Sequence, residues 1–123
     1  MKRCIRFIVH QRIPGASRQV GLFSAAYWLQ REGELRPHDS ETLTELLKWF
    51  EAELTVPPRG TIPDQAIFWY LDAGSFSDRM WELAHLVGEY GFTTELVTAG
   101  SVGRIVYQDN HQIAAVPRKR YAR

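Results

Sequence analysis

The sequence has little of what secreted, membrane-spanning or metal-dependent proteins need. It contains one cysteine, Cys4, which excludes an internal disulfide and fits a reducing compartment. No apolar run approaches the roughly 18 residues that a membrane-spanning helix needs. The four histidines lack the spacing of metal ligands, and the sequence has neither a dinucleotide-binding glycine motif nor a Walker lysine. We therefore expect no cofactor, no metal and no membrane contact.

Length, composition and the N-terminal segment predict the class of protein. Its 123 residues, 45% hydrophobic and 24% charged, are typical of one globular domain and exclude a mainly disordered chain. We expect residues 1–117 to form a single α/β domain and residues 118–123 a basic C-terminal tail. Arg6 interrupts the apolar stretch that a signal peptide requires, so we expect a cytoplasmic protein.

Hydrophobic patterning predicts eight elements in the order β-α-α-β-α-β-β-β. Residues 66–71 are apolar on both faces, which is typical of a central strand covered above and below. The strand, helix and strand over residues 66–98 indicate a βαβ unit, and Asp109-Asn110 forms the tip of a C-terminal hairpin because both residues tolerate positive φ. We expect a single-domain α/β layer sandwich with a mixed sheet. The predicted helices span about 20–32, from Asp39 or Ser40 to Leu54, and about 76–90.

Three tryptophans are candidates for contacts with a partner. Trp28, Trp49 and Trp81 each fall off the main apolar stripe of their predicted helix, and tryptophan is enriched at protein interfaces. Helices buried over broad faces explain the same pattern equally well. Our leading hypothesis is a binding or accessory module that acts through protein–protein contacts, in its simplest form as a homodimer.

Positive charge concentrates at the two ends of the chain. Residues 1–18 carry five basic residues and residues 117–123 carry four, with no acid in either segment, whereas the middle holds all fourteen acids. Exposed ends often carry charge for solubility alone. The alternative hypothesis is nucleic-acid binding, if the first strand and the tail lie side by side. The candidate anion-binding residues are Lys2, Arg3, Arg6, Arg12, Arg18, Arg118, Lys119, Arg120 and Arg123.

The tail leads to an expectation of its own. A short basic terminus is normally mobile. We expect residues 118–123 instead to contact a partner chain or acidic residues of the second helix, which include Glu41, Glu45, Glu51 and Glu53.

Catalysis is a third hypothesis, and its candidate site is the Asp72–Asp78 loop. Asp72 follows the predicted central strand, at the end of the strands where ligands gather in open α/β sheets. If the protein is an enzyme, we expect Asp72, Ser75 and Ser77 to carry the reaction. Ser75 and Asp78 also have the spacing of a capping box, which needs no ligand. Asp64 precedes the strand and should lie at its opposite end, which argues against a metal site shared with Asp72.

Four short stretches, distributed over most of the chain, carry a resemblance to other proteins. They are residues 21–27 (GLFSAAY), 62–69 (IPDQAIFW), 80–83 (MWEL) and 103–109 (GRIVYQD). Together they resemble a set of small bacterial proteins without an assigned activity. The resemblance implies a bacterial origin and no particular chemistry.

Overall fold

The computed structural model describes residues 3–11, 13 and 21–118, and these form five strands and three helices. The order β-α-α-β-α-β-β-β and the α/β class are confirmed. Within these residues no helix is both long and apolar enough to cross a bilayer. The elements are β1 (Cys4–Val9), α1 (Leu22–Glu32), α2 (Pro37–Glu53), β2 (Ile67–Leu71), α3 (Gly74–Glu89), β3 (Thr94–Ala99), β4 (Arg104–Gln108) and β5 (Gln112–Val116).

The sheet has the order β3-β1-β2-β5-β4, and every pairing is antiparallel, which corrects the prediction of a mixed sheet. β2 and β3 do run parallel to each other, as the strand–helix–strand pattern around α3 predicts. However, β1 lies between them and pairs with both. The result is a split β-α-β unit, in which an inserted strand replaces the direct parallel pairing. β2 is the middle strand, as predicted.

All three helices share one hydrophobic core with one side of the sheet. Ile5, Phe7 and Val9 alternate along β1 toward this core, and Leu96 and Tyr70 pack against it from the neighbouring strands. We call this the helix side of the sheet. The helix residues buried in the core are Leu22, Ala25, Ala26 and Leu29 of α1, Leu43, Leu46, Leu47 and Phe50 of α2, and Phe76, Met80, Leu83, Ala84, Leu86 and Val87 of α3.

The two-sided apolar character of β2 is not matched by helices on both faces. Phe68 and Tyr70 point to the helix side, as their alternation predicts, while Trp69 and Leu71 point to the opposite face. The second hydrophobic cluster, on that opposite face, contains no helix residue of the described chain. The expectation that β2 is covered on both faces is therefore wrong for the described part of the protein, which has two layers.

Helix boundaries differ from the predictions by a few residues. α2 begins at Pro37 instead of after Asp39 or Ser40, because proline fits the first helical position, where its missing N–H would have no partner. α1 ends at Glu32, close to the predicted end, and the N–H of the following Gly33 donates to the Leu29 carbonyl at 2.9 Å.

The hairpin tip is stabilised by a carboxylate and not by positive φ. Among the described residues only glycines have positive φ. The Asp109 Oδ1 atom accepts from the backbone N–H groups of His111 and Gln112, each at 3.0 Å. Its Oδ2 atom accepts from the Tyr107 hydroxyl at 2.7 Å. These bonds close the turn without strained backbone.

Candidate functional site

The side of the sheet away from the helices forms a surface that we call the open face. Alternation and strand register place thirteen side chains on it, and ten of them are apolar. No helix of the described residues packs on this face. Its members are Cys4, Arg6 and Ile8 of β1, Ile67, Trp69 and Leu71 of β2, Glu95, Val97 and Ala99 of β3, Ile105 and Gln108 of β4, and Ile113 and Ala115 of β5.

Exposure varies across the open face. Cys4, Ile113 and Ala115 are buried, because neighbouring strands and Val102 of the β3–β4 loop cover them. Trp69 and most of the other side chains are half-buried. Ile105, on the edge strand β4, has 48% of its surface exposed. An antiparallel sheet with one solvated face normally carries polar residues there, so this composition is unusual.

A cavity of about 560 Å³ hollows the open face at one end of the sheet. It lies between residues 100–103 and the tip of the β4–β5 hairpin, and Cys4, Leu71 and Ile113 are among its lining residues. Burial raises the pKa of the Cys4 thiol, so this group is protonated at neutral pH. The cavity therefore presents no reactive thiolate. Its lining is mixed, because Gln108, Asp109 and Asn110 of the hairpin also contribute to it.

Arg6 is the charged centre of the open face. Its guanidinium carbon lies 5.6 Å from the ring centroid of Trp69, a cation–π contact. Burial lowers the pKa of Arg6, and the nearby Tyr70 partly opposes this effect. Among the described residues, Arg6 is the only half-buried basic side chain without an ion pair to a carboxylate.

The predicted catalytic residues form a structural cluster. The Asp72 carboxylate lies 2.6 Å from the Arg3 guanidinium and accepts a hydrogen bond of 2.8 Å from the Ser77 hydroxyl. The Ser77 oxygen in turn accepts from the N–H of Ala73, the residue before α3, at 2.9 Å. Ser75 is exposed. The predicted Ser75–Asp78 capping box is replaced by this arrangement of Asp72 and Ser77.

The hydrogen bonds of this cluster determine the ionisation of Asp72. The hydrogen bonds from Arg3 and Ser77 lower the pKa of Asp72, so Asp72 stays ionised and its oxygens are occupied. The Ser77 hydroxyl donates a hydrogen bond to the Asp72 carboxylate, and no described histidine bonds to Ser77. Asp64 precedes β2 and lies at the opposite end of that strand, as expected. Among the described residues, no three His, Cys, Asp or Glu side chains are placed to hold a metal ion.

The three predicted anchor tryptophans all belong to helices and lie away from the open face. Trp28 is half-buried and meets Phe92 edge-to-face at 5.8 Å. Trp49 is also half-buried, with the Phe50 ring at 5.1 Å and the Arg79 guanidinium at 5.5 Å. Both side chains therefore have aromatic contacts within the chain. Trp81 alone is strongly exposed, at 45%.

The described basic residues of the two ends do not share one surface. β1 and β5 run in the same direction because each is antiparallel to β2, which separates them. Arg3, before β1, and Arg118, after β5, therefore lie at opposite ends of the sheet. Arg3 is already paired with Asp72, and the exposed Arg118 has no ion pair to the described residues. The candidates outside the described residues are Lys2, Arg12, Arg18, Lys119, Arg120 and Arg123.

The expected contacts of the tail, residues 118–123, lie outside the described residues except at Arg118.

Comparison with protein-family models, with curated proteins and with solved structures finds no match for this chain.

Trp69 and Arg6 are the residues whose arrangement sequence reasoning missed. Trp69 was assigned to a strand covered on both sides, and Arg6 was counted only as part of a basic end. The number of helices gave no signal, because three helices can be divided between the two faces of a sheet, whereas in the described residues all three pack on one.

Proposed function

We propose that this chain is a protein-binding module that uses the open face, and that its partner is a second copy of the same chain. The apolar composition of the open face is the observation that supports this proposal. Exposed apolar patches of a few hundred Å² or more usually mark interaction surfaces, because leaving them in water is unfavourable.

The charges of the open face favour self-association. Arg6 pairs in register with Val97, and Glu95 pairs with Ile8, so Arg6 and Glu95 are diagonal neighbours on β1 and β3. Diagonal neighbours lie about 7–8 Å apart. In a dimer with a two-fold axis every contact between two different residues occurs twice, once in each direction. Glu95 already lies 3.0 Å from the His10 Nε2 atom of its own chain, and in such a dimer it would share its carboxylate with Arg6 of the other copy.

The size of the face indicates a weak, reversible dimer. Five strands about 4.8 Å apart and about 17 Å long cover roughly 400 Å² in each copy. Two such faces bury about 800 Å² in total, which is below the range of about 1,200–2,000 Å² for stable complexes. The expected association is therefore concentration-dependent, and it brings two sheets together at the spacing of about 10 Å that sandwiches show.

Sedimentation velocity over a range of protein concentrations tests this proposal. Ile105→Glu places a charge on the exposed edge of the face and should weaken association at least about tenfold, because a carboxylate is costly to bury. Val56→Glu is the matched control, since Val56 is 87% exposed and lies outside the open face. A strictly monomeric wild-type protein at about 1 mM, or equal association of Ile105→Glu and wild type, would overturn the proposal.

A charge-swap experiment tests the predicted pairing directly. Arg6→Glu and Glu95→Arg should each weaken the dimer, and the double variant should restore it, because the cross-dimer attraction is regained with its direction reversed. Circular dichroism checks that each variant is folded. If both single variants associate as wild type does, Arg6 and Glu95 do not meet in the dimer.

A further inference from the structure

A second cavity, on the helix side of the sheet, has a different character. It measures about 340 Å³ and lies between α1, the C-terminal end of α2 and β2. Because the sheet separates it from the open face, its role is independent of dimer formation. Five of its lining residues are aromatic: Phe23, Tyr27, Phe50, Phe68 and Tyr70. We call it the aromatic cavity.

The aromatic rings of the cavity wall pack against one another. Phe23 meets Phe50 at 4.9 Å and Tyr70 at 5.6 Å, both in edge-to-face arrangements. The face of an aromatic ring carries partial negative charge, so a cavity with several aromatic walls attracts cations.

A single carboxylate, Glu51, adds full negative charge to the wall. The Tyr27 hydroxyl donates to its Oε2 atom at 2.5 Å, and no described residue bonds to its Oε1 atom. Burial and Glu51 together raise the pKa of Tyr27 to about 12, so this hydroxyl remains a neutral donor at neutral pH. No lysine, arginine or histidine is among the described residues that line the cavity.

We propose that the aromatic cavity binds a small alkylammonium cation. An anion would be repelled by Glu51, and a neutral apolar molecule of the same shape would bury the same surface without the attraction of the carboxylate and the rings for positive charge. The volume is near the lower limit of small-molecule pockets, about 300–1,000 Å³. Tyr70 also lines the cavity, and its hydroxyl has no hydrogen-bond partner among the described residues.

Choline and its neutral carbon analogue, 3,3-dimethylbutan-1-ol, are suitable probes because they have the same shape and differ in charge. The proposal predicts that choline shifts the NMR signals of Tyr27, Phe50 and Tyr70 in the full chain. Choline should bind at least about fivefold more tightly than the neutral analogue, the preference expected for a cation at aromatic faces. Equal affinity for the two probes, or no shifts with choline at tens of millimolar, would overturn the proposal.

Two variants of α2 separate the site from general electrostatics. Glu51→Gln retains an acceptor for Tyr27 but removes the charge, and it should weaken choline binding about fivefold or more. Glu45→Gln makes the same change at an exposed position outside the cavity and should leave binding unchanged. Equal effects of the two variants would contradict a site at Glu51. A trimethyllysine peptide that binds more tightly than choline would overturn the assignment to a small compound.

Discussion

The Arg3 guanidinium lies 2.6 Å from the Asp72 carboxylate, so the residue before β1 is joined to the residue after β2. The Ser77 hydroxyl bonds to the same carboxylate at 2.8 Å. Three separate parts of the chain, the start of β1, the end of β2 and the first turn of α3, thus meet at one ionised group.

Acid should weaken this junction. The hydrogen bonds lower the pKa of Asp72 below its ordinary value of 3.8. A lowered pKa in the folded state means that Asp72 contributes its full stabilisation above pH 3.8 and loses it as the pH falls below that value. Asp72→Asn should therefore reduce the free energy of unfolding by about 1 kcal/mol at pH 7, and the difference from wild type should shrink toward pH 2.5.

Urea unfolding of wild type and Asp72→Asn across this pH range measures the effect. Asp64→Asn is the control, because Asp64 is exposed and has no ion pair to the described residues. A difference between wild type and Asp72→Asn that is the same at pH 7 and pH 2.5 would contradict the role given to the ionised carboxylate.

Tyr90 and Tyr70 allow a matched test of hydroxyl hydrogen bonds. The Tyr90 hydroxyl donates to the Asp39 carboxylate at 2.5 Å and accepts from the Arg36 N–H at 3.0 Å, which connects the end of α3 to the start of α2. Tyr90→Phe should lower the free energy of unfolding by about 1 kcal/mol, the typical value for a lost hydrogen bond. Tyr70→Phe removes a hydroxyl without a described partner and should be nearly neutral. Thermal unfolding of both variants measures the two effects. Equal losses of stability would contradict a stabilising hydrogen bond that is specific to the Tyr90 hydroxyl.

Gly103 occupies a position that no other residue fits well. Its φ is +102°, and a Cβ atom there would collide with the Val116 carbonyl oxygen and lie 3.0 Å from the Pro117 Cα. Gly103→Ala should destabilise the protein by about 2 kcal/mol, because it combines backbone strain with the collision. Gly100→Ala is the control in the same loop, since a Cβ there meets nothing within 4 Å. Denaturant midpoints compare the two, and similar midpoints would show that the loop relaxes around the new methyl group.

Local patterns predicted the elements well because each depends on neighbours in the chain. The spacing of Leu43, Leu46, Leu47 and Phe50 predicted α2, and all four are buried in the core. The start of α2 at Pro37 is also a local property, because proline is favoured in the first turn of a helix. At the hairpin tip, Asp109 was identified for its tolerance of positive φ, but its carboxylate hydrogen bonds are what close the turn.

Long-range pairings could not be predicted in the same way. Asp72 attracted attention because it follows β2, but nothing near it in the sequence indicates Arg3, which is 69 residues away. The pairing exists because β1 and β2 are antiparallel neighbours, which brings the start of one strand to the end of the other. The same register puts Arg3 and Arg118 at opposite ends of the sheet, against the idea of one basic surface.

By itself, the sequence determined the eight elements and the apolar character of both faces of β2, because periodicity and turn chemistry act over a few residues. It also indicated the Asp72–Asp78 loop, because this loop follows β2 directly. The tertiary structure decided the rest. The insertion of β1 between β2 and β3 made the sheet antiparallel, and the packing of all three helices on one side left Arg6 and Trp69 on an open face. Strand order and helix placement depend on the balance of all long-range contacts, which no local pattern specifies.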